Sequence, residues 1–113
     1  MRMIEYEKVK FRFRGMLFTW DDRKAAANFR KHGVKFSEAA AIFLDDRALI
    51  EINSTDEYTT GEERLQAVGM VYGDIMYMVY VERITVDNKD IIRIISAREA
   101  TKEEERIYAY GIA

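Results

Sequence analysis

The spacing of apolar residues predicts a helical first half of the chain. From about Asp21 to His32 these residues recur three or four positions apart, as in an amphipathic helix. Asp21 can accept backbone N–H groups at the start of this helix, and Gly33 can take the left-handed conformation at its end. The predicted core face consists of Ala25, Ala26 and Phe29. The predicted outer face consists of Lys24, Asn28, Lys31 and His32.

A second, shorter helix is predicted directly after the first. Ser37 is a suitable N-cap, and the apolar spacing continues to about Leu44. Phe36, just before the cap, and Ala41, four residues after it, can form a hydrophobic staple. The two helices would then form a hairpin.

Beyond Ala48 the apolar period changes to two, which indicates strands. The predicted strands are 48–52, 64–72, 75–84 and 90–97, and their short connections favour an antiparallel meander. Residues 11–13 and 16–20 alternate like short strands, and Thr101 begins a last helix with glutamates in its first turn. The predicted fold class is α+β, with two N-terminal helices packed on an antiparallel sheet of about four strands, plus a C-terminal helix.

Length and composition indicate one domain and exclude several kinds of site. A chain of 113 residues can bury one core. We expect one domain over residues 16–113, with residues 1–15 as an extension that is flexible or adds a strand. There is no long apolar run and the first ten residues are highly charged, so we expect a cytoplasmic protein. With no cysteine and one histidine, we expect neither a metal nor another cofactor.

The charge is distributed unevenly along the chain. The net charge is −2, but residues 1–35 hold ten Lys and Arg against four Asp and Glu. Subtraction from the totals of 18 and 20 leaves eight basic and sixteen acidic residues in 36–113. This balance argues against a protein that coats nucleic acid through its overall charge. It is compatible with a local anion site and an acidic surface for a basic partner, or with solvated faces on unrelated elements.

The strand pattern predicts a cluster of arginines on the sheet. If Gly73 and Asp74 form a two-residue turn, Tyr72 pairs with Ile75 and Arg64 lies directly opposite Arg83. Like charges on one rung destabilise a sheet, so this arrangement favours a bound anion such as phosphate.

The place of the other arginines depends on one loop length. A three-residue loop over 87–89 would put Arg93 beside Arg83, whereas a loop of two or four residues would pair Arg93 with Glu82. Arg98 ends the last strand and can lean over the same surface. The alternative is that the arginines lie at the rim, with stems covering apolar strands and guanidinium groups meeting Glu62, Glu63 or Glu82.

Two groups of residues resemble the BrnT family of bacterial toxins. The first is Phe18-Thr19-Trp20-Asp21, Lys24, Asn28 and Lys31-His32-Gly33-Val34, followed by Phe36, Ala39 and Phe43. The second is Glu62-Glu63-Arg64, Gly69, Tyr80-Val81-Glu82-Arg83, Arg93-Ile94-Ile95-Ser96-Ala97-Arg98-Glu99-Ala100, Glu104 and Tyr108. The resemblance covers about residues 18–110.

The resemblance implies a RelE-like fold and a ribonuclease that arrests growth until a BrnA-like ribbon-helix-helix antitoxin neutralises it. DNA would be contacted only through the antitoxin, and a homodimer is left open. By resemblance we assign phosphate binding and stabilisation of transition-state charge to Arg64, Arg83 and Arg98. Lys24 and His32 are weaker candidates for proton transfer or positioning, and the RNA-binding candidates are Asn28, Lys31, Tyr80 and Arg93.

The sequence departs from the family pattern in its middle loop and leaves two alternative functions. The family often carries a histidine shortly before its Glu-Arg motif, whereas residues 56–60 contain none. An inactive module that only binds the antitoxin is therefore one alternative. The other is a DNA-binding protein, because two short helices around a glycine resemble a helix-turn-helix.

Overall fold

The computed structural model describes residues 2–4, 8–55, 62–85 and 87–111. Its first half contains β1 (Arg2–Ile4), β2 (Phe11–Phe13), β3 (Met16–Thr19), α1 (Asp22–His32), α2 (Phe36–Ala39) and a 3-10 helix (Ala40–Leu44). Its second half contains β4 (Leu49–Thr55), β5 (Glu63–Val71), β6 (Asp74–Thr85), β7 (Asp90–Glu99) and α3 (Lys102–Gly111). The predicted α+β class and C-terminal helix are confirmed.

The strands of the described ranges form one mixed sheet, in the order β2-β3-β7-β6-β5-β4. The strands β4 to β7 form the antiparallel meander that the sequence predicts. Two additions make the sheet mixed, because β3 pairs in parallel with β7 and β1 pairs in parallel with β6. The expected sheet of about four antiparallel strands was therefore too small. The predicted boundary at residue 15 stays a prediction, although β1 and β2 lie before it and pair with the sheet.

Two tight hairpins set the registers of β2 with β3 and of β5 with β6. Arg14 and Gly15 connect β2 to β3, and Tyr72 and Gly73 connect β5 to β6. All four residues have positive φ, with Tyr72 at 48° and Gly73 at 93°. This is the backbone of a type I′ turn, whose twist matches that of the flanking strands.

The main core lies between one face of the sheet and the helical layer of α1, α2 and the 3-10 helix. Its fully buried side chains include Phe18, Ile42, Met78 and Ile94. Aromatic rings join the layers, since Phe43 packs edge-on against Tyr80 with ring centroids 5.0 Å apart. Burial raises the pKa of Tyr80 to about 12, with a smaller contribution from Glu82.

The first helix has the predicted caps but only part of the predicted orientation. Asp21 accepts hydrogen bonds from the N–H groups of Arg23 and Lys24, and Gly33 ends the helix at φ 70°. The expected core residue Phe29 is 46% exposed, and Asn28, expected on the outer face, is buried. The predicted faces are confirmed for Ala25, which packs against the core, and for the exposed Lys24, Lys31 and His32. They were wrong for Ala26, Asn28 and Phe29.

Asn28 faces inward because its amide hydrogen-bonds to the backbone of β7, beyond the point where β3 ends. Its Oδ1 accepts from the Ala97 N–H at 3.1 Å, and its Nδ2 donates to the carbonyls of Ala97 at 2.8 Å and Val34 at 3.1 Å. The parallel neighbour β3 reaches β7 only at Ile92 and Arg93. The Asn28 side chain thus takes the place of a neighbouring strand at Ala97.

Replacing Asn28 with alanine is expected to lower the free energy of unfolding by about 2–3 kcal/mol, because buried backbone groups lose their partners. Urea denaturation followed by circular dichroism measures this loss. The matched control is Ala27→Ser on the exposed side of the same helix, which we expect to change stability by less than about 0.5 kcal/mol. Equal stability of the Asn28 variant and the wild type would contradict the structural role of the amide.

The second helix is shorter than the sequence suggests. The α-helical part covers Phe36–Ala39, and the chain then tightens into the 3-10 helix up to Leu44. Lys35 occupies the N-cap without a side-chain hydrogen bond, so the predicted Ser37 cap is wrong. Phe36, Ala39 and Ala40 are buried, so this apolar segment packs against the core face of the sheet.

The last helix is held at both ends. Thr101 and Glu104 form a capping box, with Glu104 N–H donating to Thr101 Oγ1 and Thr101 N–H donating to Glu104 Oε1. Near the other end, Tyr108 Oη donates to Asp45 at 2.6 Å. Asp45 also accepts from the N–H groups of Arg47 and Met70. Its carboxylate therefore joins α3, β5 and the turn before β4.

No helix within the described ranges is long and apolar enough to cross a membrane.

Candidate functional site

The sheet face opposite the α1 layer carries four of the arginines that the sequence singles out. Arg93 is paired with Val81, and Arg98 is paired with Tyr77. Paired residues share a face, and Tyr77, Val81 and Arg83 alternate along β6, so their side chains point the same way. Arg64 joins them, because it alternates with Gln66, the partner of Val79. We call this surface the arginine face, defined by Arg64, Arg83, Arg93 and Arg98.

A β-bulge in β7 brings its two arginines to one face. Arg93 and Arg98 are five positions apart, which in a regular strand would put them on opposite faces. The register shifts between the pairs Val79–Ser96 and Tyr80–Ile94, so Ile95 is the extra residue. Because of this extra residue, the side chains of Arg93 and Arg98 lie on the same face of the sheet.

The predicted pairing of arginines across one rung is wrong. The turn consists of Tyr72 and Gly73 instead of Gly73 and Asp74, so the register differs by two residues from the expected one. Arg83 lies opposite Ile91, and Arg64 is paired with Ser54 on β4. Arg93 lies opposite neither Arg83 nor Glu82 but opposite Val81. The common face is nevertheless retained, because a shift of two residues leaves the alternation unchanged.

Arg83 is bound by a carboxylate. Its Nε donates to Glu62 Oε2 and its Nη2 to Glu62 Oε1, both at 2.8 Å. The side chains of Arg83 and Glu62 are only 15% and 8% exposed. Such a two-point contact fixes the plane of the guanidinium. The alternative that the arginines meet carboxylates is confirmed for this pair.

Arg98 is held between a carboxylate and an aromatic ring. Its Nη1 and Nη2 donate to the two carboxylate oxygens of Glu104 at 2.8 and 3.0 Å. Its guanidinium carbon lies 4.1 Å from the centre of the Tyr77 ring. The hydrogen bond from Arg98 lowers the pKa of Glu104, and the same bond raises the pKa of Arg98. Arg98 is thus fixed in position and keeps its charge.

The Arg98–Glu104 contact predicts a specific pH dependence of stability. The pKa of Glu104 is lower in the folded chain, so its stabilisation is present above its unfolded pKa of 4.5 and is lost as pH falls through the lower folded value. We expect Glu104→Gln to cost about 1–2 kcal/mol at pH 7 and clearly less near pH 3.

Urea midpoints of the wild type and Glu104→Gln at the two pH values measure this difference. Glu103→Gln is the matched control, because Glu103 lies in the same turn of α3 and is exposed. A cost for Glu104→Gln that is the same at pH 7 and pH 3 would speak against the ion pair.

Arg64 differs from these two arginines. It is half-buried, and its guanidinium makes no hydrogen bond or ion pair with residues in the described part of the chain. The β5–β6 ladder ends at the pair Leu65–Tyr80, so Arg64 lies at the level of Val81 on the next strand. Val81 is paired with Arg93 on its other side. Arg64 and Arg93 therefore flank Val81 from strands about 10 Å apart.

The candidates on α1 are spread along the helix. Lys24, Lys31 and His32 are all exposed. Lys24 and His32 are eight residues apart, which corresponds to about 12 Å along the axis. Asp21 links the Lys24 end to the arginine face: a hydrogen bond from the Lys24 N–H lowers its pKa most, and the charges of Lys24 and Arg93 lower it further. The backbone contacts agree, because Thr19, just before α1, is paired with Arg93, whereas Asn28 further along α1 contacts Ala97. Lys24 therefore lies nearer to Arg93 than His32 does.

Two of the predicted RNA-binding residues are part of the core. Asn28 uses its amide on the backbone of β7 and of Val34, in the loop after α1, and Tyr80 is 2% exposed on the core face of the sheet. Neither side chain can reach an RNA molecule bound at the surface of this structure. Asn28 instead joins α1 to β7, and Tyr80 on β6 packs against Phe43 of the 3-10 helix.

A groove of about 290 Å³ lies next to Arg98, between α3 and the sheet. Leu49, Val68 and the Tyr77 ring contribute apolar surface, and Ile107 of α3 contributes more. Glu51, Glu103 and Glu104 add carboxylates. The Tyr77 hydroxyl donates to Gln66 Oε1 at 2.9 Å inside this groove.

The comparison with protein families gives a match. The family model described as "Ribonuclease toxin, BrnT, of type II toxin-antitoxin system" matches residues 20–104, well over half of the chain. This chain belongs to the BrnT family. No curated protein matches the chain. The matched range contains every residue of the arginine face, together with Lys24, His32 and Glu62.

Membership in the BrnT family confirms the resemblance drawn from the motifs and places the chain in a family of ribonuclease toxins. It does not assign roles to residues, so the expected roles of the arginines, Lys24 and His32 stay predictions. In the described ranges no three His, Cys, Asp or Glu side chains form a group that could hold a metal ion. The expectation that the protein uses no cofactor also stays a prediction.

Sequence reasoning named Glu62 as a partner of the arginines but missed the residues that position Arg98. Glu104 and Tyr77 hold Arg98. From the sequence, Glu104 was noted only as part of the family motif, and Tyr77 was not noted. Arg12 was also missed as a member of this side of the sheet. It is paired with Leu17, which alternates with Thr19, and Thr19 is paired with Arg93. Strand alternation together with the β3–β7 pairing could have found Arg12.

Proposed function

We propose that this protein cleaves RNA on its arginine face without a metal ion, and that it inhibits translation and growth until a BrnA-like antitoxin binds it. The observation that carries the proposal is the arrangement of the four guanidinium groups on one face. Two of them are fixed by carboxylates, and Arg64 has no such partner among the described residues. An anionic backbone fits a surface of this kind.

The reaction requires a base and a set of cations. The ribose 2′-hydroxyl loses its proton and attacks the adjacent phosphorus, and the bond to the 5′-oxygen of the next nucleotide breaks as that oxygen gains a proton. Negative charge accumulates on the phosphorane oxygens between these events. We assign the stabilisation of this charge to Arg64 and Arg93, whose half-buried side chains flank the buried Val81.

Arg98 retains donors for another phosphate of the bound RNA, because its partner Tyr77 lies four residues, about 13 Å, from Val81 along β6. A guanidinium has five N–H donors, and the contacts of Arg98 with Glu104 and the Glu99 carbonyl use three of them. The remaining donors belong to a group whose position is already fixed, so binding a phosphate costs little side-chain entropy. Arg83 is placed in the same way by Glu62.

We assign proton transfer to Lys24 in preference to His32. The 12 Å between them along α1 means that only one can reach a given 2′-hydroxyl. The helix α1 lies along the open edge of β7, where Asn28 bonds the Ala97 backbone, so a long side chain can extend past that edge toward the arginine face. Lys24 is at the end of α1 nearest the proposed phosphate site, because Thr19, just before the helix, is paired with Arg93. His32 lies in the last turn of α1, where its cationic form complements the helix dipole.

The experiment is to incubate the purified protein with mixed cellular RNA in EDTA. An Arg64→Ala/Arg93→Ala double variant, purified in the same way and shown to be folded, controls for contaminating nuclease. We expect cleavage by the wild type alone. Intact RNA with both proteins would remove the ribonuclease proposal, and equal cleavage would remove the arginine assignment.

The acidic groove supports a second function, in which the chain acts as an antitoxin-binding module. This function requires no RNA cleavage, so the same experiment separates the two. The DNA-binding alternative has less support, because α2 is one turn long and its Phe36 and Ala39 are buried. A helix of that length with its apolar residues in the core does not provide a recognition helix. We expect a cytoplasmic location, as for a protein that acts on cellular RNA.

A further inference from the structure

The groove next to Arg98 combines apolar surface with negative charge. Leu49 and Val68 of the sheet and Ile107 of α3 form apolar walls. Glu51 stands on the sheet side and Glu103 on the helix side, and both are exposed. Phosphate groups are disfavoured between two carboxylates, whereas a cationic side chain with an apolar stem fits both the charge and the walls.

The outer surface of α3 extends the groove. Glu103, Ile107 and Tyr110 are spaced four and three residues apart, so they lie along one face of the helix. Ile107 is 53% exposed and Tyr110 is 73% exposed. Large apolar side chains that are contiguous on a surface commonly mark a site of protein contact. The opposite face of α3 is already used, since Tyr108 is buried and bound to Asp45.

We propose that this groove and the Ile107–Tyr110 side of α3 bind the antitoxin, through a segment in which an arginine or lysine lies among apolar residues. The inference rests on the proposed function, because that function supplies the partner. The groove accounts for inhibition as well. Tyr77 lines it and also carries the Arg98 guanidinium on its ring, so a bound segment lies directly beside the arginine face.

The test uses the purified full-length toxin and the purified antitoxin encoded beside it. Binding is measured by biolayer interferometry for the wild type and for Glu51→Lys/Glu103→Lys. The matched control is Glu38→Lys/Asp74→Lys, which changes the net charge by the same amount at exposed positions outside the groove. We expect the groove variant to bind roughly tenfold more weakly or worse and the control to bind like the wild type.

A second variant guards against misfolding. Ile107→Ala removes an exposed apolar side chain without altering any charge, and we expect it to weaken binding several-fold as well. Unchanged affinity in both groove variants overturns the proposal, as does a wild type that does not bind the antitoxin. A changed RNA cleavage pattern with unchanged antitoxin affinity would show that the groove receives RNA and would also overturn it.

Failure of the ribonuclease proposal would be recognised separately. All four proteins are assayed on RNA without antitoxin, and we expect the groove variants to cleave as the wild type does. If none cleaves RNA while the groove variants lose antitoxin affinity, the groove assignment stands and the ribonuclease assignment falls.

Discussion

Replacing Arg64 with alanine is expected to slow RNA cleavage about 100- to 1,000-fold while leaving stability almost unchanged. Removing one preorganised donor to a developing negative charge has an effect of this size in other enzymes. Arg64 is suited to the experiment because its guanidinium has no ion-pair partner among the described residues. Its loss therefore leaves no carboxylate behind without a cation. Initial rates on a short RNA substrate, with thermal unfolding measured in parallel, test both parts.

Two further variants make the Arg64 result specific. Arg64→Lys keeps the charge but not the planar fork of donors, so we expect an intermediate rate. Arg106→Ala, at an exposed position on α3, is the control for loss of one positive charge and should cleave normally. Equal rates for Arg64→Ala and Arg106→Ala would mean that Arg64 does not contact the reacting phosphate.

Replacing Glu62 with alanine is expected to destabilise the fold by about 3–5 kcal/mol. The side chains of Glu62 and Arg83 are mostly buried, and removing one partner of such a pair leaves a charge without compensation. Domains of this kind are stable by only about 5–15 kcal/mol, so the loss is a large part of the total. Urea denaturation at neutral pH measures it.

The adjacent glutamate provides the matched control for this prediction. Glu63 is exposed, and Glu63→Ala should change stability by less than about 0.5 kcal/mol. The double variant Glu62→Leu/Arg83→Met should recover much of the loss, because an apolar pair can replace a buried ion pair. Equal effects of Glu62→Ala and Glu63→Ala would show that the ion pair contributes little.

The sequence predicted the structure correctly where the structure depends on residues close together in the chain. The caps of α1 at Asp21 and Gly33 were predicted correctly, because both act on backbone groups within one turn. The strands of the meander were also found from their alternation. The predicted faces of α1 were partly wrong, because Asn28 is turned inward by Ala97 of β7, which lies 69 residues later in the chain. No local pattern contains that contact.

The arginine face shows that a sequence predicts the face on which a strand residue lies better than it predicts the residue opposite. The pairs of residues depend on the exact turn, and here Tyr72 adopts a positive φ where Gly or Asn is usually expected. The face of each residue depends only on odd or even position, so Arg64 and Arg83 were grouped correctly despite the wrong rung. Arg93 and Arg98 share that face through the bulge at Ile95, which the sequence pattern does not signal.

Glu104 has two tasks that unite the start of α3 with the arginine face. Its carboxylate closes the first turn of the helix through Thr101 and at the same time holds Arg98. A local opening of that turn must therefore release the guanidinium, so amide hydrogen exchange in the first turn of α3 and reorientation of Arg98 should occur as one event. A ligand that immobilises Arg98 would slow this exchange without contacting the helix. Hydrogen exchange in α3 would therefore report whether a ligand is bound at the arginine face.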